Sequence, residues 1–278
     1  NSSLSGILST ASDIIFDANG SSSVTLGGTA KSSTAQTKNS SASILFDGNS
    51  DYVELSNYDR YAPGTNPFAV EFWMRYTGGS GTRNIVDNRG QANGYAIRLD
   101  SSNKITVYSE PSSSTKHTSA SALTQDQWYH VAFVRNNGNS SLFIDGTQSG
   151  NAAINADNYT STSMVVGAQH AKNQQYFPGY VEDVRITNDL SRYPFIPAKE
   201  TLTATADTVL LIGHDSALTN DGTAGGTATA SGSAAVSNFG PVSSMKSIYF
   251  DGTGDYLTLA SNSAYAIGSS DNFSIECW

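Results

Sequence analysis

The sequence predicts an all-β protein, built as a sandwich of two sheets and repeated along the chain. Three observations carry this. Residues 68–76, FAVEFWMRY, alternate with period two, so that Phe68, Val70, Phe72, Met74 and Tyr76 point one way and Ala69, Glu71, Trp73 and Arg75 the other. Further short runs rich in β-branched and aromatic residues are separated by Gly, Asn, Asp and Ser. Finally, SILFDGNSDYVEL at 43–55 returns as SIYFDGTGDYLTL at 247–259, an offset of 204 residues.

Taken in order, the predicted strands after 43–55 and 68–76 are GYAIRL (94–99), KITVY (104–108), WYHVAFVR (128–135), SLFID (141–145), SMVVG (163–167) and YVEDVRIT (180–187). Asp47-Gly48, Asn137-Gly138 and Asp145-Gly146 supply the positive φ that tight hairpins require. No segment carries a helical stripe with caps. Ten or more antiparallel strands in about 200 residues imply two sheets packed face to face.

The repeat sets the domain organisation. FAVEFW (68–73) matches FSIECW (273–278), and upstream DIIFD (13–17) resembles DTVLLIGHDS (207–216). A period of about 200 residues is a whole domain rather than a solenoid unit. The expected layout is one complete unit over 1–198, a linker over 199–207 in a Pro- and Thr-rich stretch, and the first part of a second unit over 208–278. The chain reads as an excerpt of a longer polypeptide. It opens on Asn1, and Trp278 closes an apolar, strand-like run.

Composition narrows the function. Of 278 residues, 14% are charged and 38% apolar, with a net charge of −9, and Ser and Thr make up roughly a quarter of the chain. The 15 Lys and Arg are scattered, which argues against nucleic acid, whose phosphates demand clustered cations. No window reaches about 18 uninterrupted apolar residues, so no membrane insertion is expected. Cys277 is the sole cysteine, so no intrachain disulfide can staple the fold and the core must hold itself together. It reads as a small core residue.

Five motifs, in order, carry a resemblance: the FDGxxDY segment (46–52), FxVExW (68–73), WYHVAFVR (128–135), LFIDGTQ (142–148) and GYVEDVRIT (179–187). Together they resemble the laminin-G-like branch of the concanavalin A-like lectin/glucanase superfamily, in the tandem form found in phage virion and tail-fibre proteins and in bacterial surface proteins. TVLLIGHD (208–215) and EDVRITNDLSRY (182–193) look like the opening and closing brackets of such units. The resemblance implies a jelly-roll sandwich with one concave and one convex sheet. It implies less about function, because the fold hosts lectins, hydrolases and spacers.

A glycosidase needs two carboxylates flanking the scissile bond. Glucanases of this superfamily place them on one strand as ExDxE or ExDxxE, and no such run occurs. Glu182 and Asp183 are adjacent and should point to opposite faces, while Glu71 stands alone beside Trp73. No nucleophile elbow, zinc motif or phosphate loop is present, and the four histidines are scattered. The expectation is that the chain is not an enzyme.

Binding has two candidate sites. Asp47, Asn49 and Asp51 place oxygen donors at i, i+2 and i+4, the opening of a calcium loop, although a D-G hairpin turn accounts for the same residues. By resemblance, Asp183 could join them as a ligand to Ca2+. Asp87-Asn88 resembles the pair with which pentraxins hold calcium at a ligand site, with Gln169 in the later partner segment, which lacks a carboxylate. Glycan binding requires aromatic platforms, for which Trp73, Tyr95, Tyr108, Tyr159 and Tyr176 are available. Trp73, Asp87, Asn88 and Gln169 form the predicted glycan set.

The expected function is a structural and adhesive module of a virion or extracellular appendage, exposed at the virion or cell surface. Its partners would be copies of itself, other appendage proteins and cell-surface glycans. A calcium-dependent lectin is the alternative, and a polysaccharide hydrolase ranks below it.

Overall fold

A computed structural model describes residues 23–56, 58–90, 93–192, 195, 197, 202–213 and 227–230. In chain order the strands are β1 (Ser23–Gly27), β2 (Lys31–Ser33), β3 (Ser43–Asp47), β4 (Tyr52–Ser56), β5 (Phe68–Tyr76), β6 (Arg83–Asp87), β7 (Tyr95–Leu99), β8 (Ile105–Ser109), β9 (Ser114–Thr118), β10 (Tyr129–Asn136), β11 (Asn139–Ile144), β12 (Thr147–Gln148), β13 (Ala153–Ile154), β14 (Met164–Val166), β15 (Pro178–Thr187), β16 (Thr208–Ile212) and β17 (Thr227–Ala230). One 3-10 turn spans Asp59–Tyr61. Among the described residues no helix is long and apolar enough to cross a membrane.

The strands form two sheets. Sheet A runs β17-β1-β4-β14-β6-β7-β8-β9; sheet B runs β12-β11-β10-β5-β15-β3-β2, with β13 beside β11 and β16 beside β15. All pairs are antiparallel except β1 with β17. The inner faces meet in one core, where Phe68, Val70, Phe72, Met74 and Tyr76 of β5 pack with Val53, Leu55, Ile97, Val107 and Val166 of sheet A. The predicted alternation of β5 is therefore realised. Its opposite face is covered as well, because Phe195 of the closing segment packs on Ala69, Ala132, Val134 and Phe143.

Two predicted hairpins form: Asn137-Gly138 turns β10 into β11 and Asp145-Gly146 turns β11 into β12, all four residues having φ between 49° and 75°. Asp47-Gly48 does not make a hairpin. β3 belongs to sheet B and β4 to sheet A, so DGNSD carries the chain across the sandwich. The preceding link from β1 to β2 crosses in the opposite sense. Asp51, buried between the two crossings, staples them by accepting from the Thr29 amide, the Thr29 hydroxyl at 3.0 Å and the Asp47 amide at 2.8 Å.

Thr208–Ile212, expected to open the second unit, is the fully buried strand β16 of this sandwich, with Val209, Leu210 and Ile212 in the main core. By compactness the chain divides between Ser244 and Met245, and the second portion, with the repeat segments 247–259 and 273–278, lies outside the described residues. DIIFD at 13–17 and Cys277 lie outside them too.

Candidate functional site

The outward face of sheet A carries a polar row set by strand register. Glu54 of β4 stands opposite Val165 of β14, Val165 opposite Asp87 of β6, Asp87 opposite Ala96 of β7, Ala96 opposite Tyr108 of β8, and Tyr108 opposite Thr115 of β9. Alongside it, Arg98 faces Asn84 and Thr106. The sequence dictates this placement, because the alternate residues Val53, Leu55, Tyr95, Ile97, Leu99 and Val107 are consumed by the core.

At its centre Asp87 is fully buried. Its Oδ1 accepts from the Arg89 amide at 3.0 Å and from Arg89 Nε at 2.9 Å; its Oδ2 accepts from Arg89 Nη2 at 2.6 Å and from the His170 amide at 3.1 Å. Burial raises the Asp87 pKa, but His170 and the Arg89 guanidinium more than offset this and hold it below the usual carboxylate value. Ala96, with only a methyl group between Asp87 and Tyr108, leaves room for two cations there. The Arg89 and Arg98 guanidinium carbons lie 5.4 and 4.8 Å from the Tyr108 ring centroid.

Those two cations differ in one respect. Arg89 is neutralised by Asp87 and approaches Glu110 at 3.7 Å. Arg98, half-buried, forms no ion pair among those found in the described residues; its Nε donates to the Thr106 hydroxyl at 3.3 Å. Burial and the neighbouring charge of Arg89 push its pKa below the ordinary arginine value, against the opposing effect of Tyr108, Asp87 and Asp100.

The loop between β14 and β15 forms the wall. Lys172 Nζ pairs with Glu54 at 2.6 Å, and Tyr176 donates its hydroxyl to the Lys172 carbonyl at 2.7 Å. Buried side-chain atoms Gln169 Oε1, His170 Nδ1 and Asn88 Oδ1 have no hydrogen-bond partner. His170 Nδ1 faces Asp87 at 3.7 Å.

Of the predicted glycan set, Asp87, Asn88 and Gln169 thus converge on one end of sheet A, but in altered roles. Asp87 is the pillar under Arg89. Asn88 is wholly buried, and its Nδ2 donates to the Ser163 carbonyl at 2.9 Å and the Ser161 carbonyl at 3.3 Å. Trp73 is separated from them: it is buried on the outer face of sheet B, edge-on to His130 and beneath Lys38. Of the other proposed platforms, Tyr95 and Tyr159 are core residues, leaving Tyr108 and Tyr176 accessible. Arg98, Arg89, His170 and Lys172 were not anticipated. Arg98 had a legible signal, since it alternates with core residues in GYAIRL and must point outward.

The four predicted calcium ligands do not come together. Asp47 Oδ1 accepts from the amides of Asn49 at 2.8 Å, Ser50 at 3.0 Å and Asp51 at 3.3 Å. Partial burial raises its pKa, and these amides outweigh that and keep it low. Asp51 is spent on the crossing staple. Asp183 lies past the other end of β3, where Asp47 pairs with Pro178 and Ile44 with Val181. Its Oδ1 accepts from Ser40 and its Oδ2 from the Leu202 amide. At Asp87 the Arg89 guanidinium occupies the lone pairs that a divalent ion needs. The donor sets therefore do not fit Ca2+, and no group of three or more metal-ligating side chains occurs among the described residues.

The outer face of sheet B holds the remaining acids. A bulge in β15 between Glu182 and Arg185, with Asp183 at φ 53°, overturns the expectation that Glu182 and Asp183 point apart, because both bind the 38–40 segment. Glu182 accepts from the amides of Lys38 and Asn39 at 2.6 Å and of Ser40 at 2.8 Å. Burial pushes its carboxyl up to about 7, with the Asp183 charge acting in the same sense and the amides opposing.

Because the folded pKa of Glu182 lies above the unfolded value, its contribution to stability grows as pH falls from above 7 toward 4.5. His117, whose pKa burial lowers, acts oppositely over part of that range. Comparison with Glu182→Gln isolates the carboxyl. In urea unfolding, the wild-type advantage over the variant is expected to be about 2 kcal/mol larger at pH 5.5 than at pH 8. A pH-independent difference contradicts it.

Comparison with known proteins places this architecture. The model Laminin_G_3, described as concanavalin A-like lectin/glucanases superfamily, matches residues 47–191, just over half of the chain. A candidate carbohydrate-binding protein from Bacteroides ovatus ATCC 8483 superposes with a TM-score of 0.51 at 12% identity, covering 64% of this chain and 52% of that one. The binding domain of botulinum neurotoxin serotype D gives 0.50 at 14% identity, covering 63% and 45%. This likeness is one of fold, and the chain spans about half the length of each. A comparison with curated proteins finds no match.

Proposed function

The chain belongs to the concanavalin A-like lectin/glucanase superfamily, and on that premise we propose that it is a non-catalytic contact module of an extracellular or virion appendage, which holds acidic glycans against the outward face of sheet A. The observation that carries this reading is Arg98, a partly exposed guanidinium with no carboxylate found paired to it, set beside Arg89 over the Tyr108 ring in a protein of net charge −9.

A sugar carboxylate, as in a uronic or sialic acid, suits the Arg98 fork. Tyr108, partly exposed, gives the sugar ring an apolar flank. The acids beside this face are engaged: Asp87 by Arg89 and His170, and Glu54 by Lys172. Neither is free to act as a general acid, which supports contact without turnover. The donor sets favour binding that needs no calcium. Repetition of such units would add weak contacts through multivalency.

The test is binding of immobilised full chain to alginate or polygalacturonate against neutral dextran. Expected are saturable retention of the acidic polymers, unchanged by a chelator and weakened by added salt, and no release of reducing ends. Equal retention of dextran, or reducing ends from either polymer, defeats the reading.

A further inference from the structure

We propose that consecutive repeats of this protein are joined by strand donation: the opening segment of the second repeat supplies a strand to each sheet of the first.

β15 is the long strand around which sheet B is organised. One edge pairs with β5 from Gly179 to Thr187. The other edge is divided. β3 covers Pro178–Val181, the bulge at Glu182 and Asp183 interrupts the ladder, and β16 covers Val184–Thr187. β3 cannot reach past the bulge, because Glu182 and Asp183 there hold the 38–40 segment that leads into it. Without β16, half of that edge would present an unpaired backbone beside Val184 and Ile186, two core residues.

The occupant is TVLLI, buried along its whole length. It is tied at both ends. The Asp207 carbonyl accepts from the Asn188 amide at 3.1 Å and from the Thr187 hydroxyl, while the Gly213 carbonyl accepts from the Asp183 amide. Yet this segment leads into the second repeat, ahead of SIYFDGTGDYLTL, and its counterpart in the first repeat is DIIFD at 13–17.

A second observation points the same way. β17 joins the edge of sheet A as the parallel neighbour of β1, with Ser23 opposite Thr227 and Leu26 opposite Ala230. That register is 204 residues, the offset separating SILFDG from SIYFDG. Equivalent strands of successive repeats therefore lie side by side. The incoming repeat places β16 in sheet B and β17 in sheet A of its predecessor, so the Thr-rich stretch before Thr208 is not a free linker.

Hydrogen exchange with peptide resolution on the full 278-residue chain tests this. Amides of 208–212 are expected to be protected to the same degree as those of 184–187. In Leu210→Ala, exchange of 184–187 should quicken about tenfold or more while that of β8 changes little. Rapid exchange of 208–212 alongside protection of 13–17 overturns the proposal, since the first repeat would then close its own sheet. So does a Leu210→Ala chain in which 184–187 exchange at the wild-type rate.

Discussion

Replacement of Glu71 by alanine is expected to lower the free energy of unfolding by about 3–5 kcal/mol. Glu71 lies on the outer face of sheet B, fully buried, with Arg192 at 2.5 Å and Arg185 at 2.6 Å on one oxygen and His130 at 3.0 Å on the other. Burial raises its pKa, but the His130 hydrogen bond and the charges of Arg185, His130 and Arg192 hold it below the ordinary value and keep it ionised. Removing the carboxylate leaves Arg185, itself buried, without its counter-charge, and frees the Arg192 segment that carries Phe195 onto the sheet. Urea unfolding at pH 7 checks this. A loss below about 1 kcal/mol contradicts the buried cluster.

Arg135→Ala is expected to cost about 3–5 kcal/mol by the same measurement, through a different mechanism. Arg135 is wholly buried at the end of β10 and is bound to carbonyls instead of carboxylates. Nη1 donates to the Asp157 carbonyl at 2.7 Å, Nη2 to those of Gly64 at 2.7 Å and Asn66 at 2.8 Å, and Nε to Asn66 at 3.1 Å. The guanidinium also lies 4.8 Å from the ring centroids of both Phe68 and Tyr159. One side chain thus fixes the loop before β5 and the loop before β14. Truncation removes the donor that three part-buried carbonyls share and opens space between two aromatic rings. Arg135→Lys should recover only part of the loss, because an ammonium cannot span all three acceptors in their fixed plane. Full recovery by lysine contradicts the assignment.

The sandwich was legible because its causes are local. Period-two alternation in FAVEFWMRY and GYAIRL states which side chains face the core, and the Asn-Gly and Asp-Gly turns after β10 and β11 state where the chain reverses. What escaped notice depends on long-range partners. Asp47-Gly48 looks like a hairpin in isolation, and only the membership of β3 and β4 in different sheets makes it a crossing. Strand β6, RNIVD, was missed because both of its faces are buried and no alternation marks it.

The site divides in the same way. Asp87, Asn88 and Gln169 were identified by chemical type and do gather at one end of sheet A. Their roles follow from Arg89, a neighbour in sequence that takes the carboxylate for itself. Trp73 looked like a platform because strand alternation gives a direction but not what lies above it, here Lys38. The bulge in β15 carries no local signature, and it is what turns Glu182 and Asp183 toward one segment.

The measurement that bears most directly on the account is polygalacturonate binding by a panel of full-length variants, each confirmed folded by its unfolding midpoint. Arg98→Ala and Tyr108→Ala are expected to weaken binding at least about tenfold, equivalent to about 1.4 kcal/mol each, whereas Asn49→Ala, at the exposed crossing on the sandwich rim, leaves it unchanged. Undiminished binding by Arg98→Ala, or its loss in Asn49→Ala, would place the contact elsewhere and contradict the assignment of sheet A as the glycan-facing surface.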